Sequence, residues 1–166
     1  AFILRMRTVL LRNLGATLAP DSAWQFLQGV ESLPLRIRKH SENALTVARH
    51  LQQHPKVAWV RYPGLEEDPS YHIATKYLRN GFGGMVVFGP KEGYEKAVQI
   101  IDNIKLFSHL ANVGDAKSLI AHPASTTHSQ LSEEALQNCG ITPELLRLSI
   151  GLAHIDDIIA SLDEVL

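Results

Sequence analysis

The sequence has few of the features that mark disulfide-stapled, cysteine-metal or membrane-spanning proteins. Cys139 is the only cysteine among the 166 residues, which excludes an intrachain disulfide and a cysteine-rich metal site. A membrane-spanning helix needs a run of roughly 18 or more apolar residues, and the chain contains no such run. This cysteine usage fits a reducing compartment, and we expect the protein to work in the cytoplasm.

Neither sign of charge dominates the chain. Sixteen lysines and arginines stand against seventeen acidic residues, which gives a formal net charge of -1. Proteins that bind nucleic acid or anionic membranes do so through an excess of basic residues. We therefore expect neither nucleic acid nor a membrane as a partner.

The first fourteen residues are amphipathic and basic, as in some targeting peptides. However, the sequence begins with Ala1 rather than methionine and has no clean cleavage site of small residues. We interpret this stretch as a helix of a larger protein, ended by Gly15 as its C-cap, and we expect the chain to start mid-protein.

A second helical pattern runs from Trp24 to Leu51 almost without a break. Pro34 should kink or divide it, because proline removes a backbone donor and clashes with the preceding turn. A kinked helix of this length usually bridges two bodies of structure. The aromatic side chains of Trp24, Trp59, Phe82 and Phe88 are expected in the core rather than on a cofactor.

The rest of the chain alternates between short apolar runs and helical patterns. Strands are predicted at 57–62, 82–88, 106–113 and 145–150, helices at 68–78, 92–104, 132–137 and 155–166, and an irregular segment at 114–130. This order predicts an α/β fold with a small sheet of about four mostly antiparallel strands, covered by helices and preceded by the long helix.

The most informative stretch is the polar segment ANVGDAKSLIAHPASTTHS at 111–129, because a loop of this length is commonly functional. A phosphate-binding P-loop is excluded, since Ala116 stands where that motif needs a glycine directly before Lys117. His122 and His128 have an unusual spacing for metal ligands, so we predict no metal site. No nucleophile elbow for a serine hydrolase is present.

Arg147 is the second signal. In LRLSI at 146–150, strand alternation places the apolar side chains on one face and Arg147 with Ser149 on the other. Two interpretations remain open from the pattern alone. Arg147 is either a solvent-facing arginine or a guanidinium held on a rigid strand to bind a carboxylate in bidentate fashion.

Several segments together resemble one family. NVGDAKSLIAHPASTTHSQ at 112–130 and LRLSIGL at 146–152 are similar to the cystathionine-synthase and methionine-lyase family of pyridoxal-phosphate (PLP) enzymes of Cys/Met metabolism. LQGVESLPLR at 27–36, HSENA at 40–44, VRYPG at 60–64 and GGMVVF at 83–88 resemble the same family. The resemblance covers essentially the whole chain in order. Within the family, the form NVGDAKS resembles O-acetylhomoserine sulfhydrylases.

The resemblance implies the C-terminal domain of a fold-type I PLP enzyme. Residues 1–32 would be the end of the cofactor-domain region and the start of the linking helix, and residues 33–166 the domain that binds the substrate carboxylate. The implied reaction converts O-acetylhomoserine and sulfide or a thiol to homocysteine or methionine and acetate. Methionine gamma-lyase and cystathionine gamma-synthase are sister activities, and a fragment that serves only binding or assembly is a further alternative.

The resemblance also implies roles for three residues. Arg147 would bind the α-carboxylate of the amino-acid substrate, Asn112 would help to hold that carboxylate and the loop, and Thr127 would lie near the reaction centre. The family's cofactor lysine would lie upstream of Ala1, so we expect no catalytic residue in this chain, no PLP bound by it alone and no activity without the missing cofactor domain. The full-length protein would be a homotetramer.

Overall fold

The amino-terminal helices form a unit of their own. The computed structural model describes all 166 residues, and they divide into two compact units, Ala1–Pro34 and Leu35–Leu166. The first unit contains α1 (Phe2–Arg5), a π-helical stretch (Met6–Leu11), α2 (Arg12–Leu14) and α3 (Pro20–Glu31). Gly15 has a φ of 67° in the left-handed region, which confirms the expected helix end.

Helix α4 (Leu33–Gln53) is the longest helix of the structure, and all but its first two residues belong to the second unit. The predicted division of the long helical pattern is present, and it falls at Ser32, immediately before α4. Pro34 lies in the first turn of α4, where its missing N–H costs no helical hydrogen bond. The proline is therefore placed where a helix tolerates it.

A mixed five-stranded sheet forms the centre of the second unit, in the order β1-β2-β5-β4-β3. Its members are β1 (Val57–Arg61), β2 (Met85–Pro90), β3 (Ser108–His109), β4 (Leu119–Ala121) and β5 (Leu146–Ser149). Three neighbouring pairs are antiparallel, and only β3 and β4 run parallel. The remaining helices are α5 (Tyr71–Tyr77), α6 (Tyr94–Asn103), α7 (Glu133–Asn138) and α8 (Ile155–Val165), with a 3-10 turn at Pro123–Ser125.

The expected α/β class and the mostly antiparallel pairing are confirmed, and the expected number of strands is one too low. The missed strand is β4, which lies inside the segment predicted to be irregular. It has only three residues, all buried, and it is held by β5 on one side and β3 on the other. The predicted third strand, at 106–113, shrinks to the two residues of β3.

One face of the sheet packs against helices to form the hydrophobic core. Val86, Phe88, Leu146 and Leu148 are fully buried there. They join a cluster with residues of three helices, namely Val47 and Leu51 of α4, Ile100 of α6, and Ile158 and Leu162 of α8. Burial of each large side chain contributes about 1.5–3 kcal/mol, so this face holds β5 rigidly in place.

The expectation that Trp24 lies in the core is wrong. Its side chain is 63% exposed, whereas Phe88 is fully buried and Trp59 is half-buried. Trp24 lies on α3 in the first unit, where no residue is buried. Helical spacing identified an apolar stripe correctly, but it carries no information about which surface covers that stripe.

No helix of the structure is long and apolar enough to cross a bilayer.

Asp68 fixes the turn that follows β1, and its removal has a predictable effect on acid stability. Its carboxylate accepts hydrogen bonds from Arg61 Nε (2.9 Å), Tyr62 N (3.1 Å) and Ser70 N (2.8 Å). Burial alone would raise the pKa of Asp68, but the donors from Arg61 and Ser70 outweigh it and hold the pKa below the usual 3.8. A depressed carboxyl pKa stabilises the fold above the unfolded-state pKa, and this stabilisation is lost as pH falls through the folded-state pKa.

We expect Asp68→Asn to lower the free energy of unfolding by about 1–2 kcal/mol at neutral pH, because in either orientation its amide N–H₂ would face at least one of the three N–H donors. The difference should shrink as pH falls below 3.8 and through the lower folded-state pKa of Asp68, where the native carboxyl becomes protonated. Urea unfolding followed by Trp59 fluorescence, in a Trp24→Phe background, measures both effects. A difference that stays constant at acidic pH would contradict the prediction.

Candidate carboxylate-binding site

Arg147 lies in the middle of the sheet, on the face opposite the core. It is flanked by Val87 of β2 on one side and Ala121 of β4 on the other, and Val87 in turn pairs with Arg61 of β1. Directly paired residues of antiparallel strands point to the same face. Arg61, Val87, Arg147 and Ala121 therefore form one row across the sheet, away from the buried Leu146 and Leu148.

The two arginines of this row differ in their partners. Arg61 has its carboxylate in the structure, since its Nε lies 2.9 Å from Asp68 Oδ2. Arg147 is half-buried and forms no ion pair; its guanidinium makes one long hydrogen bond, from Nη2 to the main-chain oxygen of Asn112 at 3.4 Å. A guanidinium has several donors in a planar fork. Most donors of Arg147 are therefore left for a ligand, and a carboxylate fits them best.

The loop beside Arg147 is a turn built around Asp115. The main-chain N–H of Lys117 donates to Asp115 Oδ1 (3.0 Å), and the side-chain amide of Asn112 donates to Oδ2 (3.3 Å). The N–H of Lys117 and the amide of Asn112 hold the pKa of Asp115 below its usual 3.8. Asn112 Oδ1 also accepts the N–H of Val113 (2.8 Å). The side chain of Asn112 thus shapes the loop, and its main-chain oxygen touches Arg147.

The end of this loop packs on the chain that follows β5. The buried hydroxyl of Ser118 accepts the N–H of Gly151 (2.9 Å), and the N–H of Leu152 donates to Ala116 O (2.9 Å). A Cβ on Gly151 would lie 2.5 Å from the carbonyl carbon of Lys117 and 2.6 Å from Ala116 O. Only glycine permits this approach, so the loop and the end of β5 are built as one piece.

Two buried polar residues of α4, which no sequence pattern marked as functional, complete this arrangement. Nδ1 of His40 donates to Ile150 O (2.6 Å), and the amide of Asn43 donates to Gly151 O (2.9 Å) and Ala153 O (3.1 Å). Both side chains are almost fully buried, at 1% and 2% exposure. The available signal was their position, three residues apart, among the apolar residues of the buried helix face.

Thr127 is not brought into contact with Arg147 or Asn112 by a hydrogen bond. Its exposed hydroxyl is paired with Nδ1 of the adjacent His128 (2.8 Å). His122 is buried and uses both ring nitrogens, because Nε2 donates to Pro143 O (2.6 Å) and Nδ1 accepts from the Ser125 hydroxyl (2.8 Å). His122 therefore has no nitrogen left for a metal ion, and no cluster of three potential ligands exists in the chain.

An open cavity is lined by residues that follow this loop in the sequence, and it is separate from Arg147. It has a volume of about 370 Å³ and is lined by residues of α6, α7 and the 3-10 turn, among them Tyr94, His122, Ser125 and Leu136. Neither Arg147 nor Asn112 lines it. The candidate site is thus an exposed patch of the sheet face bordered by a loop, rather than a closed pocket.

Comparisons with known proteins agree with this geometry. Residues 3–166 match the model of the family described as Cys/Met metabolism PLP-dependent enzyme. The chain is 56% identical over its whole length to an O-acetyl-L-homoserine sulfhydrylase of Leptospira meyeri and 49% identical to O-acetyl-L-homoserine sulfhydrylase 1 of Thermus thermophilus. It covers 38% and 39% of those two proteins, so it spans about two fifths of their length.

A solved structure gives the same result for the fold. The chain matches a putative O-acetylhomoserine (thiol)-lyase of Campylobacter jejuni with a TM-score of 0.91 and 50% identity, over 99% of this chain and 39% of that one. The Campylobacter structure carries a pyridoxyl-lysine monophosphate at its own position 205. The five-stranded sheet, the long α4 and the strand-borne Arg147 are thus those of a member of the Cys/Met metabolism family of PLP-dependent enzymes, to which this chain belongs.

Proposed function

We propose that residues 33–166 are the substrate-carboxylate-binding domain of an O-acetylhomoserine sulfhydrylase. The observation that carries this proposal is Arg147, a half-buried guanidinium on a central strand with no carboxylate partner of its own. The identities of 56% and 49% to two O-acetyl-L-homoserine sulfhydrylases support the choice of reaction within the family.

The proposed reaction replaces a group at the γ-carbon of an amino acid. Acetate leaves from O-acetylhomoserine, and sulfide or a thiol takes its place, which gives homocysteine or methionine. PLP supplies an electron sink that allows protons to leave the carbon skeleton. The contribution of this chain is the orientation of the substrate, because a substrate gripped by its carboxylate presents its α-C–H bond in one direction.

Arg147 binds the α-carboxylate with two parallel N–H donors in this proposal. Asn112 holds the loop that borders the carboxylate through Asp115 and Val113, and its main-chain oxygen keeps the guanidinium in position. Thr127, which lies at the exposed end of the same polar segment, is assigned to the neighbourhood of the reacting atoms. Its hydroxyl is held only by His128 and is available to a ligand after a rotation.

These 166 residues do not themselves fit covalent attachment of PLP. The chain has seven lysines, and all of them are exposed or half-buried at its surface. None is enclosed in a pocket of the kind that holds a Schiff-base lysine. No catalytic step is therefore assigned to this chain through the cofactor, and we propose that it is inactive when produced alone, with the cofactor lysine in the upstream part of the protein.

Residues 1–32 belong, in this proposal, to the end of the cofactor-domain region and the start of the linking helix. They expose many large apolar side chains, among them Phe2 (77%) and Phe26 (66%). Exposed apolar area of this extent marks a contact surface. We assign that surface to the upstream cofactor domain and to the subunit contacts of a cytoplasmic homotetramer.

The proposed function predicts a specific product pattern. The full-length protein that carries this chain, supplied with PLP, should form homocysteine from O-acetylhomoserine and sulfide. Under the same conditions it should release little 2-ketobutyrate from methionine and form little cystathionine from O-acetylhomoserine and cysteine. Product quantification by mass spectrometry in the three mixtures measures this.

Two outcomes would replace the proposal. Release of 2-ketobutyrate from methionine as the main activity identifies a methionine gamma-lyase, and cystathionine as the main product identifies a cystathionine gamma-synthase. The 166 residues alone, mixed with PLP and desalted, serve as the control. Cofactor retained by them, or product formed by them, would contradict the assignment of the cofactor lysine to the upstream part.

A further inference from the structure

The chain that follows Arg147 is held from two sides by hydrogen bonds, most of them to buried polar side chains. On one side, His40 and Asn43 of α4 donate to the carbonyl oxygens of Ile150, Gly151 and Ala153. On the other side, Ser118 and Ala116 accept the N–H groups of Gly151 and Leu152. Segment 150–153 is therefore fixed between α4 and the loop that carries Asn112.

A series of hydrogen bonds leads from segment 150–153 to the guanidinium of Arg147. Ala116 and Ser118 are joined through Lys117 to the Asp115 turn, whose second oxygen binds the amide of Asn112. The main-chain oxygen of Asn112 in turn accepts from Arg147. Hydrogen bonds thus connect α4 to segment 150–153, this segment to the loop, and the loop to Arg147. Strand β5 completes the circuit, because it joins Arg147 to Ile150 through the main chain.

Each side-chain N–H donor of His40 and Asn43 is used in one hydrogen bond to segment 150–153. The amide of Asn43 has two N–H bonds, and both are used, one on Gly151 and one on Ala153. His40 contributes a single bond, from Nδ1, because its Nε2 is buried without a hydrogen-bond partner. Ile150 O has no other donor than His40 among the bonds of the structure.

We infer that His40 and Asn43 are positioning residues for substrate binding, which act through segment 150–153 on the Asn112 loop and on Arg147. The inference rests on the proposed function, since it needs Arg147 to bind the substrate carboxylate. His40, Asn43 and Ser118 are buried at 1–2% exposure, and polar groups sealed from water lose most when a partner moves, whereas the bonds of the Asp115 turn and of Arg147 lie at the surface. A displaced segment 150–153 therefore shifts the Asn112 loop away from Arg147.

The test compares three variants of α4 in the full-length enzyme with PLP. His40→Phe keeps the ring and removes the donor to Ile150, whereas His40→Asn places an amide N–H at the position of Nδ1. Ser41→Ala is the matched control, because Ser41 is also a buried polar residue of α4 but bonds Ile37 and Gly83 rather than segment 150–153. Thermal unfolding of each variant checks that it folds.

His40→Phe should raise the KM for O-acetylhomoserine on the order of 10-fold, with a much smaller change in kcat. His40→Asn should restore KM to within about 3-fold of wild type, and Ser41→Ala should lower stability without raising KM. Combined with Arg147→Ala, His40→Phe should have no further effect on KM, because its action passes through Arg147.

The outcomes separate this inference from the proposed function. A folded His40→Phe enzyme with the KM of wild type, or effects of His40→Phe and Arg147→Ala that multiply, would overturn the inference alone. An equal rise of KM in Ser41→Ala would reduce the role of His40 to general stability and also overturn it. An unchanged KM in Arg147→Ala would overturn both the carboxylate site and the positioning role.

Discussion

Replacing Arg147 by alanine is expected to lower kcat/KM for O-acetylhomoserine by roughly 30- to 1000-fold in the full-length enzyme, or about 2–4 kcal/mol. The reason is that the variant loses the proposed charge-assisted, bidentate contact to the α-carboxylate, which a half-buried arginine on a central strand would make. Because Arg147 has no ion-pair partner within this chain, its removal leaves no orphaned carboxylate among these 166 residues. Stability should therefore change little, and steady-state kinetics with sulfide in excess measures the effect.

Arg61 provides the matched control for this experiment. It lies in the same row of the sheet, separated from Arg147 only by Val87, but it is committed to Asp68. Arg61→Ala should lower the free energy of unfolding and leave kcat/KM close to wild type. Equal losses of kcat/KM in both variants would mean that the sheet face acts through its overall charge, and the specific role of Arg147 would be wrong.

Two further measurements define the contact made by Arg147. Arg147→Lys keeps the charge but loses the planar fork, so its activity should lie between that of wild type and that of the alanine variant. An amide analogue of the substrate removes the charge of the carboxylate instead. With this analogue, the ratio of the kcat/KM of the wild-type enzyme to that of Arg147→Ala should fall close to one. A preference of unchanged size would show that Arg147 acts on another part of the substrate.

The sequence predicted the parts of this fold whose signal is local. Alternation in LRLSI identified β5 and the face of Arg147, and the helical stripe identified α4. Strand β4 was missed because three residues are too few to show a period. Its stability comes from β5, far along the chain, and from the main-chain bond between Ser108 N and Ser118 O (3.0 Å).

The candidate site was predictable only in part for the same reason. Arg147 and the loop around Asn112 were recognised from contiguous motifs, but their mutual contact joins residues 35 positions apart. His40 meets its acceptor across 110 positions, and Asn43 meets its two across 108 and 110. A polar residue on a buried helix face indicates that a partner exists. It does not indicate which carbonyl that partner is, which only the folded chain defines.

Gly151→Ala is expected to destabilise the fold by about 2–3 kcal/mol and to raise the KM for O-acetylhomoserine as well. The φ of Gly151 is not positive, so the cost is steric. A Cβ would lie 2.5 Å from Lys117 C, 2.5 Å from Ser118 N and 2.6 Å from Ala116 O, all of which are main-chain atoms that no side-chain rotation can move. Urea unfolding and steady-state kinetics measure the two effects.

Relief of this clash requires that segment 150–153 and the loop separate, which breaks the bonds of Gly151 N to Ser118 and of Leu152 N to Ala116. The loop then moves away from Arg147, so stability and substrate binding should fall together. Ser41→Ala is the control, because it removes buried hydrogen bonds to Ile37 and Gly83 and none to segment 150–153. Normal KM in a destabilised Gly151→Ala enzyme would show that the loop can shift without affecting Arg147, and would contradict the coupling.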